Sequence, residues 1–282
     1  MRATRARISA TSMSARRNKF KDYKPSFSNG SDESSFKGPL QRFEELGTRS
    51  FGVILDFEAL FVRNSVMTER EDWIQIAMEQ HFQQPVEYQF QLSFRRKPEH
   101  VIAQIFNWST DPACIKLLTK RKSEIYFEKT LRVCTCDEMT LSFLKLLQKY
   151  KIRCAVYSSQ LSYQELAVVL NHIQIQEFFY DNLRQSKPEL RIAGRDSVAF
   201  GLPDYELYWL AAELVRQRPM KCIVVSDNHL ALEATADLGM KCIVVTTEAQ
   251  FWELRSADMV ISSLHQLSFR NLQNLFSLDV YN

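Results

Sequence analysis

Phe51-Gly52-Val53-Ile54-Leu55-Asp56-Phe57-Glu58-Ala59-Leu60 is the stretch on which the fold turns. The apolar run 52–55 ends on Asp56, and a second acid, Glu58, follows two positions on. A strand buried on both faces of a parallel sheet has this pattern, and the polar residue at its carboxyl end falls at the edge where open α/β sheets bind ligands. The competing reading is that Asp56 only caps the loop or helix that follows.

Outward from that strand, 66–130 carries almost no strand signal. Thr68 can cap a helix running to about 82, with Trp73, Ile76 and Ala77 at helical spacing. Pro98 opens another helix, and Asp111-Pro112 reads as an N-cap and first-turn proline for a helix reaching 127. From 136 onward strands and helices alternate. Helices are expected over 137–150, 161–172, 203–216, 230–238 (closed by Gly239), 248–254 and from 265. Strands are expected over 152–157, 178–180, 222–225, 241–246 and 259–261, and a short helix over 40–46. Such alternation builds a parallel sheet with helices on both faces, and its crossovers bring the strand ends to one edge. Three of those ends carry Asp56, Ser158 and Asp227. The fold class is therefore α/β: a Rossmann-like parallel sheet with an inserted helical cap after the first strand.

The composition narrows the function classes. The 282 residues are 45% hydrophobic, enough for a sizeable core, and the net charge of +3 is too small to argue for nucleic acid. The positive excess is local: 1–31 holds eight Lys or Arg against one acid, Asp22. Rich in Arg and Ser and without an apolar core, this segment has the composition of a transit peptide for a chloroplast or other plastid, or a mitochondrion; a basic disordered tail is the plainer reading. No apolar run of membrane-spanning length occurs. The six cysteines read as reduced thiols, and the five histidines show no metal spacing. There is no Gly-rich phosphate loop.

Carboxylates on separate strand ends suit one chemistry well. Asp56 and Asp227 can share a hard cation such as Mg2+, which takes carboxylates, waters and substrate phosphate as ligands. Asp56 can then attack phosphorus, Glu58 can protonate the leaving alcohol, and Ser158 can donate to a phosphoryl oxygen. A helical cap excludes water and selects substrate.

The order of DFEAL, a helical insert, CAVYSSQ, GLPDYELYWLAAEL and CIVVSDNHLALEATADLGMKCIVV resembles the haloacid dehalogenase-like (HAD) hydrolase superfamily over about 50–265. It looks most like the helical-cap branch of phosphoglucomutase- and CbbY-type proteins. The stretches VIAQIFNWSTDPACIKLLTKRKSEIY and MKCIVVTTEAQFWELRSADMVISSL are similar to plant plastid members, which include a phosphatase of riboflavin synthesis. The resemblance implies Asp56 as nucleophile, Ser158 as the phosphate-binding hydroxyl, and Asp56, the Glu58 carbonyl and Asp227 as magnesium ligands. Four positions depart from the pattern: Glu58 stands for Asp, Ala59 for Gly, Ser226 for an acid, and Leu202 for the catalytic Lys. Losing that cation costs about 10²- to 10³-fold in rate; Lys187, in Ser186-Lys187-Pro188, is the candidate replacement.

The expected organisation is 1–38 as a basic amino-terminal segment, 39–65 with 131–282 as the Rossmann-like core, and 66–130 as the cap. The expected function is a magnesium-dependent phosphatase acting on a small phosphorylated metabolite, with no nucleic-acid or membrane partner. The alternative is a degenerate member of the same fold that binds a ligand or a protein without turnover. Aromatic residues of the cap, among them Trp73, Phe90 and Trp108, would supply its surface, unless they simply pack its helices.

Overall fold

The structure, a computed structural model, describes residues 51–181, 189–246, 254 and 256–277. The basic amino-terminal segment, the helix expected over 40–46, nearly all of that over 248–254, and Lys187 lie outside the described residues.

Eight short strands are described: β1 (Gly52–Asp56), β2 (Cys154–Tyr157), β3 (Tyr180–Asp181), β4 (Glu189–Leu190), β5 (Ile192–Ala193), β6 (Cys222–Ser226), β7 (Lys241–Val245) and β8 (Met259–Ile261). Six form one sheet in the order β5-β2-β1-β6-β7-β8, with every neighbouring pair parallel. β1 and β6 are its two central strands, and both are buried along their whole length. Strand geometry sends alternate side chains to opposite faces. Val53 and Leu55 join the core on one side with Val156 and Val225, while Ile54 joins the other with Tyr157 and Val224.

Helices cover both faces. In chain order they are α1 (Phe57–Phe61), α2 (Ser65–Glu79), α3 (Glu87–Ser93), α4 (Pro98–His100), α5 (Pro112–Val133), α6 (Glu138–Lys149), α7 (Tyr163–His172), α8 (Glu206–Leu214), α9 (His229–Asp237) and α10 (Phe269–Ser277). Phe143, Leu144 and Leu147 of α6 and Leu166, Val169 and Leu170 of α7 pack on one face of the sheet; Leu207, Tyr208 and Ala211 of α8 and Leu230, Ala231 and Ala234 of α9 pack on the other. Each such buried aliphatic side chain contributes roughly 1.5–3 kcal/mol relative to exposure. The helix starts are fixed by polar side chains. Asp137 accepts from the Thr140 N–H at 2.7 Å, Asp111 from Cys114 at 3.0 Å, and Ser162 with Glu165 forms a reciprocal capping box. Gly239, at φ +64°, supplies the left-handed turn that closes α9. No described helix is long and apolar enough to cross a membrane.

α2 to α5 lie between β1 and β2 and have their own apolar centre: Trp73, Ile76, Val101, Ile102, Leu118 and Ile125. The expected aromatic residues are mostly spent here, with Trp73 edge-on to Phe106 and Phe82 stacked on Trp108. Three local expectations are corrected. α2 starts at Ser65 rather than Thr68, because Asn64 in the left-handed region turns the chain a full turn earlier. The segment after Pro98 is a single α-turn running into a π-helix over Val101–Ile105. The apolar run 178–180 is mainly a 3₁₀ helix, Gln176–Phe179, whose two phenylalanines are buried; short apolar runs do not distinguish strand from helix. The small antiparallel pair β3–β4 and the two-residue edge strand β5 give too short a pattern to be read from sequence.

Candidate active site

Asp56 ends β1, Ser158 follows β2, and Asp227 follows β6, so the parallel register brings all three to the same edge of the sheet. Asp56 is 1% exposed, and both its oxygens are engaged. Oδ1 accepts from the Ala59 N–H at 3.2 Å, so Asp56 does cap α1, and from Arg95 Nη1 at 3.2 Å. Oδ2 accepts from the Ser226 hydroxyl at 2.6 Å and the Tyr157 hydroxyl at 2.9 Å. Tyr208 in turn donates to the Tyr157 oxygen at 2.8 Å, since the Tyr157 proton is already committed. Burial pushes both phenols well above their ordinary pKa, so they stay neutral donors.

Glu58, in the first turn of α1, is also 1% exposed and turns inward. Ser158 donates its hydroxyl to Oε1, while Oε2 accepts from the Ser159 N–H at 3.3 Å and from Arg95 Nη1 at 2.8 Å. The Ser158 oxygen itself accepts from the Leu161 N–H at 2.8 Å and the Gln160 N–H at 3.2 Å. Burial raises the Glu58 pKa to about 7; the Arg95 charge works against that rise and the Asp56 charge adds to it. Asp227 keeps 27% of its side-chain surface, and its carboxyl is raised as well, chiefly by burial.

Sequence reasoning missed Arg95. It lies in the Phe94-Arg95-Arg96-Lys97 run between α3 and α4, a sequence that reads as a solvated basic face. Instead its side chain is 1% exposed and reaches all three acids: Glu58 at 2.8 Å, Asp227 at 3.0 Å and Asp56 at 3.2 Å. Nη2 also donates to the Ser65 hydroxyl at 3.3 Å. Burial pulls its pKa down, but the three carboxylates more than offset this and hold it well above its ordinary value. Its Nε is buried without a partner among the described residues, as are Ser159 Oγ and Asn228 Nδ2. Lys97, two positions on, docks on the sheet side: Nζ donates to the carbonyls of Val198 at 2.6 Å and Ala199 at 3.0 Å. Leu202, where the resemblance expects Lys, is buried in the apolar core beneath α8.

The donor set does not fit magnesium as it stands. The ion needs about six oxygens at 2.0–2.1 Å, but Asp56 and Asp227, the acids the resemblance assigns to it, converge on a guanidinium that fills the space between them, with the Glu58 carboxylate on the same group. Among the described residues no group of His, Cys, Asp and Glu is arranged to hold a metal. Two cavities flank the site. One, of about 340 Å3, is lined by Val66, Met67, Glu69, Phe90, Phe94 and His229. The other, about 540 Å3 and more polar, reaches Asp227 past Arg63, Asn64 and Ser65.

A six-stranded parallel sheet with acids at the carboxyl ends of its central strands, and helices inserted after the first, is the fold of the haloacid dehalogenase-like hydrolases. One solved structure that shares it is a HAD hydrolase, family IA, variant 3, from Entamoeba histolytica, at TM-score 0.67 and 18% identity over 80% of this chain and 99% of that one. Another is a variant of CbbY from Rhodobacter sphaeroides in complex with xylulose-1,5-bisphosphate, at TM-score 0.61 and 16% identity over 77% of this chain and 96% of that one. Among curated proteins the chain is similar to the chloroplastic 5-amino-6-(5-phospho-D-ribitylamino)uracil phosphatase of Arabidopsis thaliana. The two are 28% identical over 262 residues, 92% of this chain and 67% of the relative. No family model matches the chain.

Proposed function

We propose that the protein is a phosphoric monoester hydrolase that acts on a small phosphorylated polyol, sugar or flavin precursor, with Asp56 as the attacking group. The observation that carries this reading is the uneven hold on Asp56. Oδ2 is pinned by two close hydroxyls at 2.6 and 2.9 Å, whereas Oδ1 has only the longer 3.2 Å contacts. Oδ1, the more weakly held of the two, is therefore the oxygen that attacks phosphorus. The bond from phosphorus to the leaving alcohol breaks as the bond to Oδ1 forms, and Glu58, whose pKa lies at about 7, gives its proton to that alcohol. Glu58 then takes a proton from the water that hydrolyses the aspartyl-phosphate. The unpartnered donors Ser159 Oγ and Asn228 Nδ2 are available to phosphoryl oxygens. Magnesium, which the resemblance implies, would supply a further positive charge on the phosphoryl group; here it would first have to displace a guanidinium.

In this reading 66–130 is a cap over a core of 39–65 and 131–282, and the segment that carries Arg95 moves to admit substrate, since Asp56 is buried. Plastid import is supported by the Arg- and Ser-rich 1–31 together with the chloroplastic relative; a fluorescent fusion of 1–38 that stays in the cytosol would remove that part. The function itself is tested by phosphate release from a panel of phosphorylated sugars, polyols and flavin precursors, with the Asp56→Asn variant alongside. Turnover that is lost in the variant supports the reading.

A second reading, a ligand- or protein-binding protein without turnover, is favoured by Leu202, an apolar side chain at the position where the resemblance expects the catalytic cation. Folded protein inactive across the whole panel would support it.

A further inference from the structure

We propose that Arg95 is the resident cation of this site: its guanidinium takes the place of a divalent metal among Asp56, Glu58 and Asp227. The inference rests on reading those three acids as the site's cation-holding group and does not depend on turnover.

The guanidinium divides its contacts between its two terminal nitrogens. Nη1 spans Asp56 and Glu58, while Nη2 takes both oxygens of Asp227, at 3.0 and 3.3 Å. One planar group thus joins acids from two strand ends and the first turn of α1, which is the bridging task of a metal. Guanidinium suits it because the fork is rigid and its charge is permanent.

The backbone is shaped to deliver it. Arg95 has φ +61°, in the left-handed region that side-chain-bearing residues adopt uncommonly. Its own N–H donates to Glu69 Oε2 at 3.3 Å, inside the protein. The chain is held on both sides, by the buried Ser93 hydroxyl on the Phe90 carbonyl at 2.9 Å and by Lys97 on Val198 and Ala199.

The guanidinium also excludes the ion sterically. Magnesium demands oxygens at 2.0–2.1 Å and keeps waters; the guanidinium sits 3.2 Å from Asp56 Oδ1 and 3.0 Å from Asp227 Oδ1, carboxylates the ion would need, and occupies that volume.

The test is binding of Mn2+, followed by electron paramagnetic resonance of the free aqua ion, together with the shift of Tm in MgCl2, for the full chain and for Arg95→Ala. The wild type is expected to bind no Mn2+ at submillimolar concentration and to keep its Tm in magnesium. Arg95→Ala is expected to bind the ion and to gain about 5 °C or more under saturating magnesium. Submillimolar Mn2+ binding by the wild type would overturn the proposal even if the variant fails to fold. A folded Arg95→Ala that binds no ion would overturn it too. Phosphate release, absent or present, leaves both outcomes readable, so this proposal and the proposed function fail separately.

Discussion

Arg95 and Glu58 are each 1% exposed and lie 2.8 Å apart, one between the inserted helices and the other in the first turn after the central strand. A buried pair with this geometry is costly to break from one side, because the remaining buried charge loses the opposite charge that offsets its desolvation. Arg95→Ala in metal-free buffer should therefore lose about 3–5 kcal/mol of unfolding free energy. Urea denaturation checks this, and a loss near zero would mean that the guanidinium is not engaged as described.

Glu58 gives the site a pH signature. Its native pKa of about 7 lies above the value of 4.5 expected in the unfolded chain. Within that window the folded protein holds a proton that the unfolded chain has released, so stability falls as pH rises through it, by on the order of 3 kcal/mol. Glu58→Gln keeps the shape but cannot ionise, and should flatten this slope. The measurement is urea unfolding of both chelator-treated proteins between about pH 5 and about pH 8; parallel pH curves for the two would contradict it.

Lys97 and Gly201 form a second checkable pair. A Cβ on Gly201 would lie 2.6 Å from Lys97 Cγ, in the side chain that ties the inserted helices to the Val198 and Ala199 carbonyls. Gly201→Ala should cost about 1–3 kcal/mol through overpacking. In a Lys97→Ala background most of that cost should vanish, a coupling that a double-mutant cycle reads directly.

Lys122 and Asp72 are both buried, 3.1 Å apart, with the Lys122 ammonium over the rings of Trp73 and Tyr126. Lys129 also reaches Asp72, at 2.9 Å, so Lys122→Ala leaves that carboxylate one of its two cations and should destabilise by about 1–3 kcal/mol. Lys122→Met with Asp72→Leu should recover much of the loss, since an apolar pair of similar volume avoids burying an undercompensated charge. Thermal unfolding distinguishes the two outcomes.

Much of this architecture is legible in the sequence, because an interior parallel strand is a continuous apolar run and its end is marked by a polar residue. Val53-Ile54-Leu55-Asp56 and Cys222-Ile223-Val224-Val225-Ser226-Asp227 announce both the sheet and the edge that carries the candidate site. The helix starts at Asp111 and Asp137 are equally plain, since a side-chain cap needs only local residues. What completes the site is not local. Arg95 meets Glu58 across 37 positions and Asp227 across 132, and only burial separates it from its neighbour Arg96 in a basic run. Ser226 is a similar case: read as the loss of an acid, it is one of the two hydroxyls that anchor Asp56.

Asp56 as the attacking group is tested most directly by acid-quench peptide mass spectrometry of the full chain under turnover with phosphorylated substrates and excess chelator. The expected result is one phosphoryl group on the peptide containing Asp56, absent from Asp56→Asn. Folded protein that carries no label with any substrate, or a label on another residue, would contradict it.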